Sequence, residues 1–258
     1  MLRPYYSDEQ VTLYHGNMEE VLPQLPMADC IVTDSTYGET ALEWDRWVDD
    51  WPSIVARNLK RTGSMWCFGS FRMFTSHWAE FEKAFDQVQD RVWEKQNGSS
   101  FMTDRFRRVH EFMVHFRHRN VKWEEVFHND KSLKESGGVR KRIYRQHKPK
   151  HFNGYGPALY QSDDNGTRLA RSVVYMKNCH GAAINETEKP VGLVRPLIEY
   201  SCPVGGLMID CFSGSGSHLV AARQLGIRSI GIEKRESQCE KAVKRLREEQ
   251  ELNLAPAA

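Results

Sequence analysis

The sequence predicts an α/β fold that contains a nucleotide-binding βαβ unit. The unit spans residues 207–233, where an apolar strand, a turn of small residues, a helix that begins near His218 and a second strand follow one another. Further short apolar runs alternate with helical stretches along the rest of the chain. A length of 258 residues suits one domain of this kind with an inserted segment.

The turn of this unit carries two glycines, and an acidic residue ends its second strand. Gly214 and Gly216 let backbone N–H groups approach a ligand closely, and the carboxylate of Glu233 can accept both hydroxyls of a ribose. The third glycine of a dinucleotide fingerprint is missing, because residues 217–219 read Ser-His-Leu. The spacing therefore disfavours an NAD-dependent oxidoreductase, and a tight turn that binds nothing stays open as an alternative.

A second polar turn follows a predicted buried strand at residues 29–33. The turn reads Asp34, Ser35, Thr36, Tyr37, Gly38. Ligands of open α/β sheets bind outside the carboxyl ends of the strands, so Asp34 and Tyr37 are placed where chemistry would occur. Taken alone, Asp-Ser-Thr at a strand end is more often an ordinary polar turn.

Four motifs resemble those of DNA amino-methyltransferases, which use S-adenosylmethionine (SAM). Residues 210–216 have the D-x-F-x-G-x-G form of their SAM motif, and residues 34–38 match three of the five letters of their D-P-P-Y-G catalytic motif. A W-x-K…R…H-E pattern at residues 93–111 and a T-x-K-P segment at residues 187–190 are also similar. The order of the motifs resembles the β class of the family, and the resemblance covers about residues 11–247.

The resemblance implies a Rossmann-like SAM-methyltransferase fold with a mostly parallel sheet, helices on both faces and an inserted DNA-recognition segment. The implied parts are a catalytic half (1–116), the insert (117–171) and a SAM-binding half (172–258). The implied cofactor is SAM. The residues that would bind it are Asn17, Asp34, Lys189, Asp210, Phe212, Ser213, Gly214, Ser215, Gly216, Ser217 and Glu233.

The resemblance also assigns catalytic roles to Asp34, Ser35, Thr36 and Tyr37. The exocyclic amine of adenine is a poor nucleophile because its lone pair is delocalised into the ring. The Asp34 carboxylate and the Ser35 carbonyl would accept its two N–H groups, and Tyr37 would stack on the flipped base. An aspartate as first letter favours adenine N6, while cytosine N4 stays open as an alternative.

The catalytic motif departs from the family pattern at both prolines, which are replaced here by Ser35 and Thr36. Proline fixes φ and lowers the entropy of the unfolded chain, which is commonly worth about 0.4–1 kcal/mol. Without it, either other contacts hold the loop or the activity is weakened. A SAM- and DNA-binding protein without catalysis is therefore a rival interpretation.

Basic residues are concentrated between residues 117 and 150, where eleven Lys and Arg face four Asp and Glu and aromatic residues are interleaved. Such a composition is typical of a DNA-reading element, so double-stranded DNA is the predicted partner. A solvated charged loop is the alternative. The candidate DNA-binding residues are Arg117, Arg140, Lys141, Arg142, Arg145, Lys148 and Lys150.

Bulk properties exclude several other classes. The net charge is +2, and no apolar run approaches the roughly 18 residues of a membrane span, so we expect a cytoplasmic protein without a membrane partner. The six cysteines form no C-x-x-C pair, and no H-E-x-x-H follows His110, so we predict neither disulfides nor a metal. Members of the class often dimerise, so we expect a homodimer. Any restriction endonuclease would be a separate protein.

Overall fold

The computed structural model describes residues 2–98, 103–136, 167–179, 183–185 and 187–254. The chain divides into two compact units, Met1–Asn129 with Arg171–Ala258, and Asp130–Ala170. Residues 117–129, which the sequence assigned to the insert, belong to the first unit. The first unit carries the large sheet and the candidate site.

The described residues contain eleven strands. In chain order they are β1 (Tyr6–Ser7), β2 (Val11–His15), β3 (Ala28–Thr33), β4 (Leu59–Gly69), β5 (Phe85–Glu94), β6 (His110–His118), β7 (Lys134–Ser136), β8 (Thr167–Leu169), β9 (Val173–Tyr175), β10 (Leu207–Asp210) and β11 (Arg228–Glu233). Nine of them form one sheet in the order β1-β2-β11-β10-β3-β4-β6-β5-β9. In the smaller unit, β7 and β8 form a separate antiparallel pair.

Six α-helices accompany these strands in the described part of the chain. They are α1 (Met18–Val21), α2 (Trp51–Asn58), α3 (Phe71–Phe81), α4 (Val191–Ser201), α5 (Ser217–Gln224) and α6 (Glu236–Leu254). Short 3₁₀ turns lie at Leu22–Gln24, Trp123–Glu125 and Asp130–Leu133. Within these described residues, none of the helices has the length and apolar character needed to cross a membrane.

The strands β2, β11, β10, β3 and β4 are mutually parallel, whereas β6 runs antiparallel to both β4 and β5. The predicted α/β fold with a mostly parallel sheet is therefore confirmed. Because the carboxyl ends of parallel strands share one edge, the turns after β3, β10 and β11 meet there. β5 also ends at this edge, since it is antiparallel to β6.

The central strands are apolar throughout because both of their faces are buried in the core. Cys30, Ile31 and Val32 of β3 have no exposed surface, as expected for a strand covered on both faces. Trp51 is equally buried, and its ring lies 5.4 Å from Phe81 and 5.6 Å from Phe212. The sequence places Trp51 with Trp44 and Trp47 in a polar loop where exposed tryptophans could stack on DNA, but Trp51 is a core residue and cannot do so.

Three elements differ from the bounds that local sequence patterns predict. Residues 18–25 are predicted to form one short helix, but α1 ends at Val21 and continues as a 3₁₀ turn, because Pro23 lacks the N–H that an α-helix requires. The spacing of apolar residues predicts an amphipathic helix at residues 71–85, but α3 ends at Phe81. A strand is predicted at residues 92–95, but β5 begins at Phe85, because pairing along β6 stabilises its polar first half.

Candidate active site

A cavity of about 460 Å³ lies at the carboxyl edge of the sheet. Most of the predicted cofactor-binding and catalytic residues line it: Asn17, Asp34, Thr36, Lys189, Asp210, Phe212, Ser213, Gly214, Ser215, Ser217 and Glu233. Ser35, Tyr37 and Gly216 are in the same turns, without lining the cavity. The volume falls in the range of small-molecule sites, so the sequence motifs converge on a space that can hold a cofactor.

The glycine-rich turn between β10 and α5 needs glycine at two positions. Gly214 and Gly216 have φ values of 49° and 77°, in the left-handed region that other residues rarely adopt. A Cβ on Gly214 would also lie 3.1 Å from Nδ2 of Asn185. The turn therefore brings bare backbone to the cavity wall, where a ligand can approach it closely.

Glu233 is oriented by backbone amides at the end of β11. Its Oε2 accepts a hydrogen bond from the Gly214 amide at 2.8 Å. Its Oε1 accepts from the Arg235 amide at 2.8 Å and from Arg235 Nε at 3.1 Å. Because a carboxylate has about four acceptor positions, one remains on Oε2. Accepting both hydroxyls of a ribose, as predicted, would require the Arg235 side chain to move.

Asp210 holds the turn together. Its Oδ1 accepts from Thr33 Oγ1 at 2.9 Å and from the Phe212 amide at 3.1 Å. Its Oδ2 lies 2.8 Å from Nδ1 of His218. Burial would lower the pKa of His218, but the Asp210 charge outweighs it and the pKa is raised. The sequence indicated His218 only as the start of a helix, and it did not indicate the pairing of His218 with Asp210.

Asp34 follows β3 and accepts a hydrogen bond on each oxygen. Tyr37 donates its hydroxyl to Oδ1 at 2.7 Å, and Lys189 donates Nζ to Oδ2 at 2.5 Å. Burial, followed by the charge of Asp34, raises the pKa of Tyr37 well above its usual value, which keeps the phenol protonated as a donor. The carboxylate is therefore fixed in orientation by two side chains.

Lys189 is only 3% exposed and lies between two carboxylates. Its Nζ is 3.3 Å from Oε2 of Glu111, whose other oxygen pairs with Lys95. Burial lowers the pKa of Lys189, but Asp34 and Glu111 outweigh it and the pKa is raised. Conversely, burial raises the pKa of Glu111, and the two lysines bring it below its usual value.

Glu111 was not among the predicted site residues, because its H-E pair indicated only a possible metal motif. A signal was present, because the same pair belongs to the pattern at residues 93–111 that resembles the family. The sequence does not show that Glu111 pairs with Lys189, because Lys189 lies 78 positions further along the chain, just before α4.

The loop of residues 34–45, which contains the predicted catalytic residues and is called the catalytic loop below, is held by a buried carboxylate, Asp45, which is 3% exposed. It accepts hydrogen bonds from the amides of Tyr37, Gly38, Glu39 and Thr40 at 2.8–3.1 Å, and from Thr40 Oγ1 at 2.7 Å. Burial would raise the pKa of Asp45, but these donors outweigh it and the pKa is lowered. Asp45 thus supplies the contacts that fix the loop although both prolines are missing.

Glu188 joins the T-x-K-P segment to the glycine-rich turn. Its Oε2 accepts from Ser215 Oγ and from the Ile184 amide, both at 3.0 Å, while Oε1 pairs with Arg245 of α6 at 2.9 Å. The neighbouring Asn185 lines the cavity, and its buried Oδ1 has no hydrogen-bond partner among the described residues. A polar ligand group could therefore be received there.

Of the candidate DNA-binding residues, only Arg117 belongs to the part of the chain that the structure describes. Arg117 lies on β6, where it pairs with Asp86 at 3.0 Å and donates to the carbonyl of Val121, so its guanidinium is bound within the unit. The remaining candidates lie outside the described residues: Arg140, Lys141, Arg142, Arg145, Lys148 and Lys150.

Comparisons with known proteins agree on one family. The N6/N4 methyltransferase family model, which carries the description DNA methylase, matches residues 3–244. The type II methyltransferase M.HinfI of Haemophilus influenzae is 27% identical over 209 residues, or 80% of this chain. The chain spans about half of that relative's length (52%).

Solved structures share the fold at lower identity. The M1.HpyAVI–SAM complex has a TM-score of 0.63 and 22% identity, and the match covers 91% of this chain and 99% of that one. The cytosine-N4-specific PvuII DNA methyltransferase has a TM-score of 0.64 and 14% identity, and the match covers 94% of this chain and 88% of that one. Since the family model spans nearly the whole sequence, the chain belongs to the N6-adenine/N4-cytosine family of DNA methyltransferases, whose methyl donor is SAM.

Proposed function

We propose that this protein transfers a methyl group from SAM to the N6 amine of an adenine flipped out of double-stranded DNA. The observation that carries the proposal is the environment of Asp34. Its carboxylate lies at the edge of the cavity and is held by Tyr37 at 2.7 Å and Lys189 at 2.5 Å. The remaining lone pairs of the two oxygens can accept an N–H of an incoming amine.

The lining of the cavity suits SAM, which carries a net positive charge. Seven carboxylate side chains and four Lys or Arg side chains line it. This excess of acidic groups favours a cation over a phosphate-bearing dinucleotide. Gly214 permits close approach to backbone at the cavity wall, and the unpartnered Oδ1 of Asn185 offers an acceptor for a polar group of the cofactor.

The chain's own residues account for the activation of the amine. Bound SAM would supply a methyl group attached to a positively charged sulfur. Asp34 would accept one N–H of the target amine and the Ser35 carbonyl the other, which returns electron density to the nitrogen. Once methylated, the nitrogen would lose one proton along its hydrogen bond to Asp34. Tyr37 would stack on the flipped base and fix its plane, while its hydroxyl keeps Asp34 in place.

The hydrogen bonds of Asp45 support catalysis over the rival, non-catalytic interpretation. The rival was motivated by the loss of both prolines in the catalytic turn. Five donors converge on the Asp45 carboxylate, and Thr36 Oγ1 donates to the carbonyl of Arg46, so the loop has other means of staying in position.

The choice of adenine rests on aspartate as the first letter of the turn, since serine is commoner in cytosine-N4 enzymes. The overall fold does not separate the two substrates, because the PvuII enzyme has a comparable TM-score of 0.64. Cytosine N4 is therefore the second candidate.

The test is methyl transfer from labelled SAM to unmethylated genomic DNA, with the product nucleoside identified by mass. N6-methyladenine is the expected product. N4-methylcytosine would retain the reaction and overturn the substrate. Absence of product, with SAM and DNA both bound tightly, would favour the non-catalytic rival.

The partners follow from the same proposal. Double-stranded DNA would be held by the basic residues between 117 and 150.

A homodimer is the expected assembly. Light scattering should give the mass of a dimer, either free or bound to DNA, and a monomer under both conditions would refute the dimer. A restriction endonuclease acting with this chain would be a separate protein, and we propose a cytoplasmic location.

A further inference from the structure

The turn that precedes β6 exposes an aromatic side chain among arginines. Phe106 is 102% exposed, and no aromatic side chain in the described part of the chain is more exposed. It is flanked by Arg105, Arg107 and Arg108, and the one acidic residue within the turn, Asp104, pairs with Arg105. A fully solvated phenylalanine in a basic turn contributes nothing to the core, so the turn calls for another explanation.

Topology places this turn at the catalytic edge of the sheet. β5 runs parallel to β4, and both end at the edge where β3 delivers Asp34. β6 starts at that same edge, so the residues just before His110 lie there as well. The turn is thus on the side of the molecule from which a base would have to enter.

An ion pair ties the turn to the catalytic loop. Arg108 Nη1 lies 3.5 Å from Oε2 of Glu39, which directly follows the D-S-T-Y-G turn. The other oxygen of Glu39 accepts a hydrogen bond from Ser70, the N-cap of α3. Arg108 is nearly half exposed, and an arginine has five N–H donors, so most of them remain available to another acceptor.

A glycine makes room for the second arginine. A Cβ on Gly98 would lie 2.6 Å from Cγ of Arg107, so the arginine side chain packs directly over this glycine. Arg107 is an exposed residue, but its aliphatic carbons pack against the Gly98 backbone, which restricts the side chain.

We infer that residues 104–108 form a second DNA-contacting element, separate from the basic segment 117–150. Arg107 and Arg108 would bind backbone phosphates beside the target base, and Phe106 would stack within the duplex next to the space that the flipped base leaves. Exposed aromatic and apolar side chains serve this purpose in proteins that distort DNA. The inference rests on the proposed function, because it requires a DNA substrate at the Asp34 edge.

The test compares Phe106→Ala with Val204→Ala. Val204 is equally exposed, at 103%, and it precedes β10 at the opposite edge of the sheet. We expect Phe106→Ala to weaken binding of a labelled mixed-sequence duplex about 10-fold, Phe106→Trp to retain it, and SAM affinity measured by calorimetry to stay unchanged. Val204→Ala should leave both affinities as they are in the wild type.

The arginines are tested by salt dependence. Arg107→Gln should reduce the slope of log affinity against log salt concentration by about one, whereas Arg61→Gln on β4 should leave it unchanged. The inference is overturned if Phe106→Ala matches Val204→Ala within about twofold in DNA affinity. If the wild type methylates DNA and Phe106→Ala binds DNA equally well, this inference alone is refuted. If the wild type neither binds nor methylates DNA, the proposed function is refuted too.

Discussion

At the scale of single residues, the site depends on a chain of alternating charges. Lys95, Glu111, Lys189 and Asp34 follow one another in contact, and all four are largely buried. Removing one member of a buried pair leaves its partner uncompensated, which typically costs about 3–5 kcal/mol. The position and charge of Asp34 are therefore coupled to Glu111, which touches neither proposed substrate.

Neutralising Glu111 should change the pH dependence of methyl transfer. Asp34 and Glu111 together raise the pKa of Lys189, so Glu111→Gln should lower that pKa. The alkaline limb of kcat should move to lower pH, and kcat itself should fall about 10-fold. Glu111→Asp should restore part of the activity.

Glu125→Gln is the matched control for this prediction, because Glu125 pairs with the exposed Arg61. Its profile should coincide with that of the wild type. A Glu111→Gln enzyme with an unshifted alkaline limb would show that Glu111 does not act through Lys189.

Asp45→Ala should unfold the catalytic loop locally and lower the free energy of unfolding by about 2–4 kcal/mol. Five hydrogen bonds lose their acceptor, and four of their donors are backbone amides in a partly buried turn. Urea titration measures the change. Asp49→Ala, at an exposed residue just beyond this loop, should stay within about 0.5 kcal/mol of the wild type. Equal stability of the two variants would contradict the role of Asp45.

At the scale of elements, β4 and β6 bury a histidine that stays neutral. His115 has no exposed surface, and its ring stacks on Trp66 at 4.2 Å. Burial, followed by the charge of His128, lowers the pKa of His115 to about 3. The histidine is therefore a source of acid sensitivity in the middle of the sheet.

The free energy of unfolding should consequently fall as the pH drops below about 6.5. The unfolded chain binds a proton on His115 from that pH downward, whereas the folded protein does not until the pH approaches 3. The loss should be about 1.4 kcal/mol per pH unit in that window. His115→Gln should lack this component when unfolding is compared at several pH values. Identical pH slopes for the two proteins would contradict it.

The elements nearest the site could be predicted because their signals are local. β3, β10 and β11 are short apolar runs that end in polar or glycine-rich turns. Their patterns predict strands at residues 29–33, 207–209 and 229–232, and the structure has each within one residue of these bounds. β5 could not be predicted at full length, since Asp86 and Asp90 are stabilised in a strand only by pairing with β6.

The same distinction separates the candidate site residues that the sequence predicted from those that it did not indicate. Asp34 and Glu233 stand at strand ends, where sequence position alone indicates chemistry. Glu111, Asp45 and Glu188 act through partners that are distant in the chain or that belong to an irregular loop. No spacing rule encodes these contacts, so only the folded structure reveals them.

At the scale of the whole molecule, charge is distributed unevenly, because the segment 117–150 has an excess of seven basic residues and the rest of the chain an excess of five acidic ones. Replacing Arg140, Lys141 and Arg142 by glutamine should weaken DNA binding and reduce its salt slope by about 2.7, which is about 0.9 for each phosphate contact. SAM affinity should not change, because these residues are remote in sequence from the motifs that line the cavity. An unchanged salt slope would contradict the proposed DNA contact.

The central claim is that Asp34 performs the chemistry at the cavity edge, and Asp34→Ala tests it most directly. Methyl transfer to unmethylated genomic DNA and SAM binding by calorimetry would be measured on the variant and on the wild type. We predict that transfer falls by at least about 1,000-fold while SAM affinity stays within about threefold. Methylation that persists in Asp34→Ala would contradict the role of Asp34 and the mechanism built on it.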